Sequence, residues 1–162
     1  MLDRVPVSVD TRKAIAIAAY LAVEGSASRD TLAALLWPES PDSRARSTLR
    51  RTLSSLRAGL GDAAVAADRI RVVLGSGVTS DVADFSTLVG ETARHEHGAE
   101  GVCPSCIPLL ERAVALHRGD FLAGFSLRDA PDFDDWMRLV AERHRMDLSA
   151  ALDRLATARA SQ

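Results

Sequence analysis

The segment between Ser40 and Gly61 constrains the fold of this chain more than any other. Ser40 followed by Pro41 is a helix-start signal, because a hydroxyl side chain can cap a helix and proline is favoured in the first turn. Gly61 is a typical residue for ending a helix. Apolar residues recur between them at three- and four-residue spacing, which predicts a long amphipathic helix. The predicted core stripe consists of Ala45, Leu49, Leu53, Leu56 and Leu60.

The opposite face of this helix is rich in arginine. Residues 43–60 contain five arginines and no acidic residue. With about 100° between successive residues, Arg44, Ser47 and Arg51 point away from the stripe centred on Leu49. Short polar side chains permit close approach, and arginine can contact guanine edges or phosphates. An arginine-rich face on an isolated helix is more often simply solvated, so the neighbouring elements decide between the two interpretations.

Those neighbours predict a winged helix-turn-helix. A largely apolar helix from Thr11 to about Glu24 comes first, and a second helix begins at Ser28 and stops before Pro38. Two strands follow the arginine-rich helix, at Ile70–Leu74 and Gly77–Thr79, joined by Gly75-Ser76 as a hairpin wing. A further short strand is predicted at residues 5–9. In this fold the third helix enters the major groove of DNA and the hairpin contacts the adjacent backbone.

The candidate DNA-contacting residues follow from that arrangement. Arg51 is predicted to read a base, and Arg50 to contact phosphates. The two hairpin arginines suit the backbone or the minor groove, although ordinary exposed strand charges explain them as well. Lys13 opens the first helix, where a cation is unfavourable unless a phosphate lies nearby. The full set is Arg44, Ser47, Thr48, Arg50, Arg51, Arg57, Arg69, Arg71 and Lys13.

Charge divides the chain into two predicted domains, 1–80 and 81–162. The first contains 11 basic and 8 acidic residues, a net charge of +3, whereas the second contains 9 and 14, a net charge of −5. The second half is predicted to be helical, with helices beginning near Asp81, Ser105 and Pro131. Four aromatic side chains near the start of the last helix are expected to be buried among these helices. They are Phe121, Phe125, Phe133 and Trp136.

A polar loop in the second half carries four possible zinc ligands within twelve residues: His95, His97, Cys103 and Cys106. Cys-x2-Cys at the start of a helix brings both sulfurs to one side, and two histidines can complete a tetrahedral site. The alternatives are two reduced cysteines in a loop beside exposed histidines, or a redox-active pair. The sequence alone leaves zinc and the plain loop open.

Several function classes are excluded or disfavoured. The longest apolar run, residues 14–23, is too short to cross a bilayer, and no secretory signal is evident, which predicts a cytoplasmic protein associated with the nucleoid. The phosphate-binding pattern Gly-x4-Gly-Lys is absent from the sequence. No nucleophile and base stand in a recognisable arrangement, so the chain is not expected to be an enzyme.

Long ordered strings in this sequence resemble the SARP-like regulators of bacteria, which carry a bacterial transcriptional activator domain. In the first half these strings are Arg12-Lys13-Ala14, Ser28-Arg29-Asp30-Thr31-Leu32, Leu35-Leu36-Trp37-Pro38-Glu39 and Leu49-Arg50-Arg51. In the second half they are Arg118-Gly119-Asp120-Phe121-Leu122-Ala123-Gly124-Phe125 and Phe133-Asp134-Asp135-Trp136. The chain departs from the family in having room for only about one strand before the first helix.

The resemblance implies an OmpR-like winged helix joined to a tetratricopeptide-like helical domain, and thus a mainly α fold with a small β-hairpin wing. It implies a transcriptional activator that binds double-stranded promoter DNA and contacts RNA polymerase. We expect the chain to end after the first helices of the activator domain, with some self-association, in the simplest case a homodimer. The alternative is an interaction or dimerisation module of a larger signalling protein that does not bind DNA.

Overall fold

The computed structural model describes residues 11–95, 97 and 101–160. The predicted strand at residues 5–9 lies outside the described residues. The described chain is mainly helical, with one small three-stranded antiparallel sheet. The helices are α1 Arg12–Glu24, α2 Arg29–Leu36, α3 Asp42–Leu60, α4 Asp81–Thr92, α5 Cys106–Leu116 and α6 Pro131–Ala160. The strands are β1 Ser26–Ser28, β2 Val65–Ala67 and β3 Arg71–Leu74.

The chain divides into two compact units. The first comprises the described residues of Met1–Val78 together with Ser126–Asp135, and the second comprises Thr79–Phe125 and the described residues of Trp136–Gln162. The first unit therefore contains α1 to α3, the sheet and the first residues of α6. The second contains α4, α5 and the remainder of α6.

Local sequence signals account for the starts of α1 and α2. The Thr11 side chain accepts a hydrogen bond from the backbone N–H of Ala14, and Ser28 accepts one from Thr31. Each bond satisfies one of the amide groups that the first turn of a helix leaves without a partner. Gly25 ends α1 with φ +74, a conformation that glycine adopts without steric strain.

The start of α3 differs from the prediction. Pro41 occupies the capping position instead of the first helical position, and no side chain caps this helix. Pro41 has an extended backbone, with ψ 142, and its carbonyl accepts hydrogen bonds from the amides of Arg44 and Ala45. The helix consequently begins at Asp42, whose carboxylate suits the positive end of the helix dipole.

The core of the first unit forms where α3 packs against α1 and α2. Four of the five predicted stripe residues of α3 are buried; Leu60 is half-buried, and Thr52 is an additional buried residue that donates to the Thr48 carbonyl. Because the stripe is fixed against the core, the arginine-bearing side of α3 is turned outward. The buried partners on α1 and α2 include Ile17, Leu21, Leu32 and Leu36.

The sheet has the order β1-β3-β2, which corrects the predicted hairpin. The hairpin consists of β2 and β3, whereas Gly77–Thr79 is not a strand. Val65 pairs with Leu74 and Ala67 with Val72, so the turn lies at residues 68–70 instead of at Gly75-Ser76. β1 pairs with the other edge of β3, from Ser26 opposite Val73 to Ser28 opposite Arg71. Residues 77–79 have no strand partner in this three-stranded arrangement.

In the second unit, α4, α5 and α6 pack on one another through two clusters. One contains Phe85 of α4 and Ala113 of α5, with Leu148 of α6 packed against them. The other joins Leu110 to Leu155 beside the cysteine-bearing start of α5.

The aromatic side chains are less buried than expected. Phe133 is fully buried, as predicted, whereas Phe121, Phe125 and Trp136 are only half-buried. Phe121 and Trp136 meet edge to face with ring centroids 5.9 Å apart, a favourable geometry for two aromatic rings. The prediction of burial is therefore confirmed for Phe133 alone, since the other three side chains remain partly exposed.

Candidate nucleic-acid interface and candidate metal centre

Three solvent-exposed arginines of α3 have no partner among the described residues. Arg44, Arg50 and Arg51 are exposed, and none forms a side-chain hydrogen bond or ion pair with residues 11–95, 97 or 101–160. The half-buried side chains of Ser47 and Thr48 lie on the same helix between them. The only acidic residue of α3 is Asp42, in its first turn. Within the described part of the chain, these three arginines therefore form a cationic surface with no ion-pair partner of their own.

The two remaining arginines of α3 are engaged within the first unit. Arg46 forms an exposed ion pair with Asp30, with a nitrogen–oxygen distance of 3.1 Å. Arg57 is half-buried, and its Nε donates to the Val65 carbonyl at 3.0 Å. Arg57, which the sequence assigned to DNA, thus has a structural partner in the sheet.

The hairpin turn at residues 68–70 is held by a dense set of hydrogen bonds. Oδ1 of Asp68 accepts from the amides of Ile70 and Arg71, both at 2.6 Å. These bonds lower the pKa of the Asp68 carboxyl, because they stabilise its ionised form. Arg29 supports the turn from outside, since its Nε donates to the Asp68 carbonyl at 2.7 Å. The turn that presents Arg69 is therefore well ordered.

At this turn, Arg69 and Arg71 are exposed, and Ile70 between them is 73% exposed. Arg71 lies near the Asp68 carboxylate, whereas Arg69 has no side-chain partner among the described residues. Sequence reasoning identified both arginines but missed Arg29 and Asp68, which hold them in place. An aspartate two residues before an amide donor is a common turn signal and was available in the sequence.

Lys13 has an internal role that explains a cation at the start of α1. Its Nζ donates to the carboxylate of Asp129 and to the Leu36 carbonyl, each at 2.6 Å, and lies 5.0 Å from the ring centroid of Trp37. The Lys13 side chain is only 15% exposed. The lysine lowers the pKa of Asp129 by hydrogen bonding and charge. The predicted phosphate contact would have to displace these partners.

The four predicted zinc ligands lie together in the second unit. One donor atom from each of His95, His97, Cys103 and Cys106 falls within a group whose members are all within 4.8 Å of one another. Nδ1 of His95 lies 3.2 Å from Sγ of Cys103 and 3.1 Å from Sγ of Cys106. Nε2 of His97 lies 2.9 Å from Sγ of Cys106, and the two sulfurs are 3.5 Å apart. Two imidazoles and two thiols at these distances can hold a metal ion.

The local fold explains this convergence. Cys106 is the first residue of α5, and its amide donates to the Cys103 carbonyl at 2.9 Å, so a tight turn places both sulfurs on one side. A tetrahedron with metal bonds of about 2.0–2.3 Å has ligand–ligand edges of about 3.3–3.8 Å. Most of the observed distances are within a few tenths of an ångström of that range. The donor set and its spacing therefore fit a four-coordinate ion.

The two thiols have different electrostatic environments. The hydrogen bond with His95 is the main cause that lowers the pKa of Cys103 to about 6. Burial is the main cause that raises the pKa of Cys106. At neutral pH one sulfur is therefore ready to bind a metal as a thiolate, and the second loses its proton when a cation compensates the cost of desolvation.

In the described part of the chain, no helix is both long enough and apolar enough to cross a membrane. A comparison of the sequence with protein families finds no matching family. A comparison with curated proteins finds no match either.

Proposed function

We propose that the first unit is a winged helix that binds double-stranded DNA, with α3 in the major groove. The observation that carries this proposal is the unpaired arginine triad of α3: Arg44, Arg50 and Arg51. Three exposed cations on one helix, whose only acidic residue is Asp42 in its first turn, suit a polyanion. The opposite face of the same helix is fixed in the core, which gives the triad a defined direction.

The neighbouring elements support this docking. The β2–β3 hairpin presents Arg69 and Arg71 from a turn that Asp68 holds in shape. In winged helices a hairpin in this position contacts the DNA backbone or the minor groove. Arg51, with Ser47 beside it, reads bases in this proposal, and Arg50 contacts phosphates. Lys13 and Arg57 act as scaffold residues, because their side chains already have partners inside the unit.

Fluorescence-anisotropy titrations with selected duplexes test the proposal. Arg51→Ala should reduce affinity for the preferred site by about 1–3 kcal/mol and relax specificity at one base position. Arg50→Ala should weaken binding to all duplexes alike. Arg112→Ala is the matched control, because it removes an exposed arginine from α5 in the second unit. Unchanged affinity for both α3 variants, or no duplex binding by the intact chain, would favour an interaction module that does not bind DNA.

We further propose that the second unit belongs to a tetratricopeptide-like activator domain. The support is the resemblance of the strings around Arg118–Phe125 and Phe133–Trp136 to SARP-like regulators, together with three helices packed on one another. In this proposal the unit contacts RNA polymerase or a second copy of the chain, and the protein acts at the nucleoid. Promoter-dependent transcription with purified polymerase tests the activator role, and sedimentation at several concentrations tests self-association.

The metal that we propose for the cluster in the second unit is a structural zinc ion. Zinc prefers four-coordinate sites of cysteine and histidine, and all four donors here come from one short segment. Protein purified without added zinc should contain close to one equivalent. A metal-free protein with two freely reactive thiols would identify the segment as an ordinary loop.

A further inference from the structure

A guanidinium lies beside the cysteine and histidine cluster without belonging to it. Arg154 of α6 is half-buried and donates through two of its nitrogens. Nη1 donates to Oγ1 of Thr92 at 2.8 Å, and Nη2 donates to the Gly101 carbonyl at 3.1 Å. Thr92 lies three residues before His95, and Gly101 lies two residues before Cys103. A single side chain thus forms hydrogen bonds with the ligand-bearing segment at two places in its sequence.

Thr92 links Arg154 to the buried Sγ of Cys106. Its hydroxyl donates to the Val89 carbonyl at 2.7 Å, which leaves a lone pair of Oγ1 to accept from Arg154. The carbonyl of Thr92 lies 4.0 Å from Sγ of Cys106. Thr92 is fully buried, so its position is fixed by its neighbours. The arginine therefore acts on the last turn of α4, at the point where that turn meets a cysteine.

Gly101 links Arg154 to His97. A Cβ atom placed on Gly101 would lie 2.2 Å from the His97 carbonyl oxygen and 3.1 Å from Nδ1 of its ring. No real side chain tolerates such a contact with backbone, so the chain at Gly101 packs directly against His97. Holding the Gly101 carbonyl from α6 therefore also limits where the His97 ring can lie.

We propose that Arg154 is a positioning residue of the metal centre, acting as a clamp that preorganises the four ligands before the ion binds. This inference rests on the proposed metal site. The planar guanidinium is suited to the task, because its donors have a fixed geometry and can bind two acceptors at once. A lysine in the same place offers a single ammonium on a flexible stem and cannot reproduce this two-point contact. Loss of hydrogen-bonding partners behind metal ligands typically lowers metal affinity by about 10–100-fold.

The test measures Zn²⁺ affinity of the full chain by competition with a chromophoric chelator, and the ligand geometry by the visible spectrum of bound Co²⁺. Arg154→Gln should weaken zinc binding by about 10–100-fold and alter the cobalt spectrum. Arg154→Lys should restore only a minor part of the affinity. Arg159→Gln is the matched control, since Arg159 lies on the same helix but pairs with exposed Glu111. The control should bind zinc like the unchanged protein.

A second measurement separates a clamp from a general packing role. Helix content and urea midpoint of the metal-free variants are compared with those of the metal-free parent. Where Arg154→Gln lowers the midpoint strongly, Gly101→Ala provides the second variant, because it displaces His97 without touching α6. The clamp predicts weaker zinc binding for Gly101→Ala at unchanged helix content. Unchanged zinc affinity in folded Arg154→Gln would overturn the inference, whatever Gly101→Ala does, whereas a parent protein that binds no zinc would overturn the metal proposal itself.

Discussion

Replacing Arg57 should affect stability and leave DNA binding intact, although Arg57 lies on the same helix as the proposed DNA-binding triad. Backbone hydrogen bonds flank the β2–β3 pair at both ends, from the Gly75 amide to the Ala64 carbonyl and from the Asp68 amide to the Arg71 carbonyl. Because bonded and non-bonded pairs alternate in an antiparallel ladder, the Val65 carbonyl points away from β3 at the sheet edge. The Nε–H group of Arg57 is the donor that satisfies this carbonyl, at 3.0 Å.

Arg57→Ala leaves the Val65 carbonyl without its partner. A hydrogen bond from a charged donor contributes about 1.5–3 kcal/mol, and the half-buried position of Arg57 places the expected loss near 1–2 kcal/mol. The urea midpoint of the first unit should fall accordingly. Arg51→Ala should leave stability unchanged within about 0.5 kcal/mol, since its side chain is exposed and unpaired within the described chain. Urea melts followed by circular dichroism measure both variants.

In DNA binding the two variants should differ in the opposite direction, with the larger loss of affinity in Arg51→Ala. Arg51→Ala weakens duplex affinity, whereas folded Arg57→Ala binds DNA as the parent does, measured below its unfolding transition. The reasoning fails if Arg57→Ala melts with the parent and loses DNA affinity as Arg51→Ala does. That result would assign the guanidinium of Arg57 to DNA and would mean that its contact with Val65 contributes nothing measurable.

Three further predictions concern the metal, acid stability and the start of α1. Cys106→Ser should abolish tight zinc binding, and a chelator should then no longer shift the melting temperature, as calorimetry with and without chelator can establish. The ring of His144 packs against that of Phe85, with the ring centroids 4.4 Å apart. Burial and then the charge of His117 lower the pKa of His144 below its usual 6.5, whereas Asp147 and Asp81 act in the opposite direction. Because the pKa of His144 is lowered in the folded state, the stabilisation from the neutral imidazole is complete above pH 6.5 and is lost as the pH falls through the folded-state value. In the Cys106→Ser background, His144→Phe should make the urea midpoint depend less on pH. An unchanged pH dependence of the midpoint would contradict the assignment to His144. Lys13→Met should destabilise the first unit more than Asp129→Asn, because Lys13 also donates to the Leu36 carbonyl. The ion pair with Asp129 alone contributes about 0.2–1 kcal/mol. Equal effects of the two variants in urea melts would argue against a stabilising contact of Lys13 with Leu36.

Local signals were sufficient for the helices and for the grouping of the metal ligands. Thr11, Ser28 and Gly61 act on residues one turn away, so their effects can be read from sequence alone. The Cys-x2-Cys spacing and the nearby histidines are likewise local, and the structure brings these four side chains together. The direction of the α3 arginines followed from helical periodicity, because the leucine stripe has to face the core.

Long-range partners were not predictable in the same way. β2 is only three residues long, and two of the three are alanine, which is depleted in strands. The sequence therefore favoured Gly77–Thr79 as the second strand. The pairing of β1 with β3 joins residues more than forty positions apart. Asp129, which accepts from Lys13, lies 116 residues away from it, and the partner of Arg57 is a backbone carbonyl. No periodicity encodes such contacts, since they depend on how the elements assemble.

The salt dependence of duplex binding tests the central claim most directly. Each phosphate that an arginine neutralises releases counterions, so the logarithm of affinity falls with the logarithm of salt concentration by about 0.9 per contact. With Arg51 assigned to a base, the four remaining arginines, Arg44, Arg50, Arg69 and Arg71, predict a slope of about −3.6, and Arg50→Ala should make it shallower by about 1. A duplex affinity that does not change with salt, or a slope that Arg50→Ala leaves unchanged, would contradict DNA binding through α3.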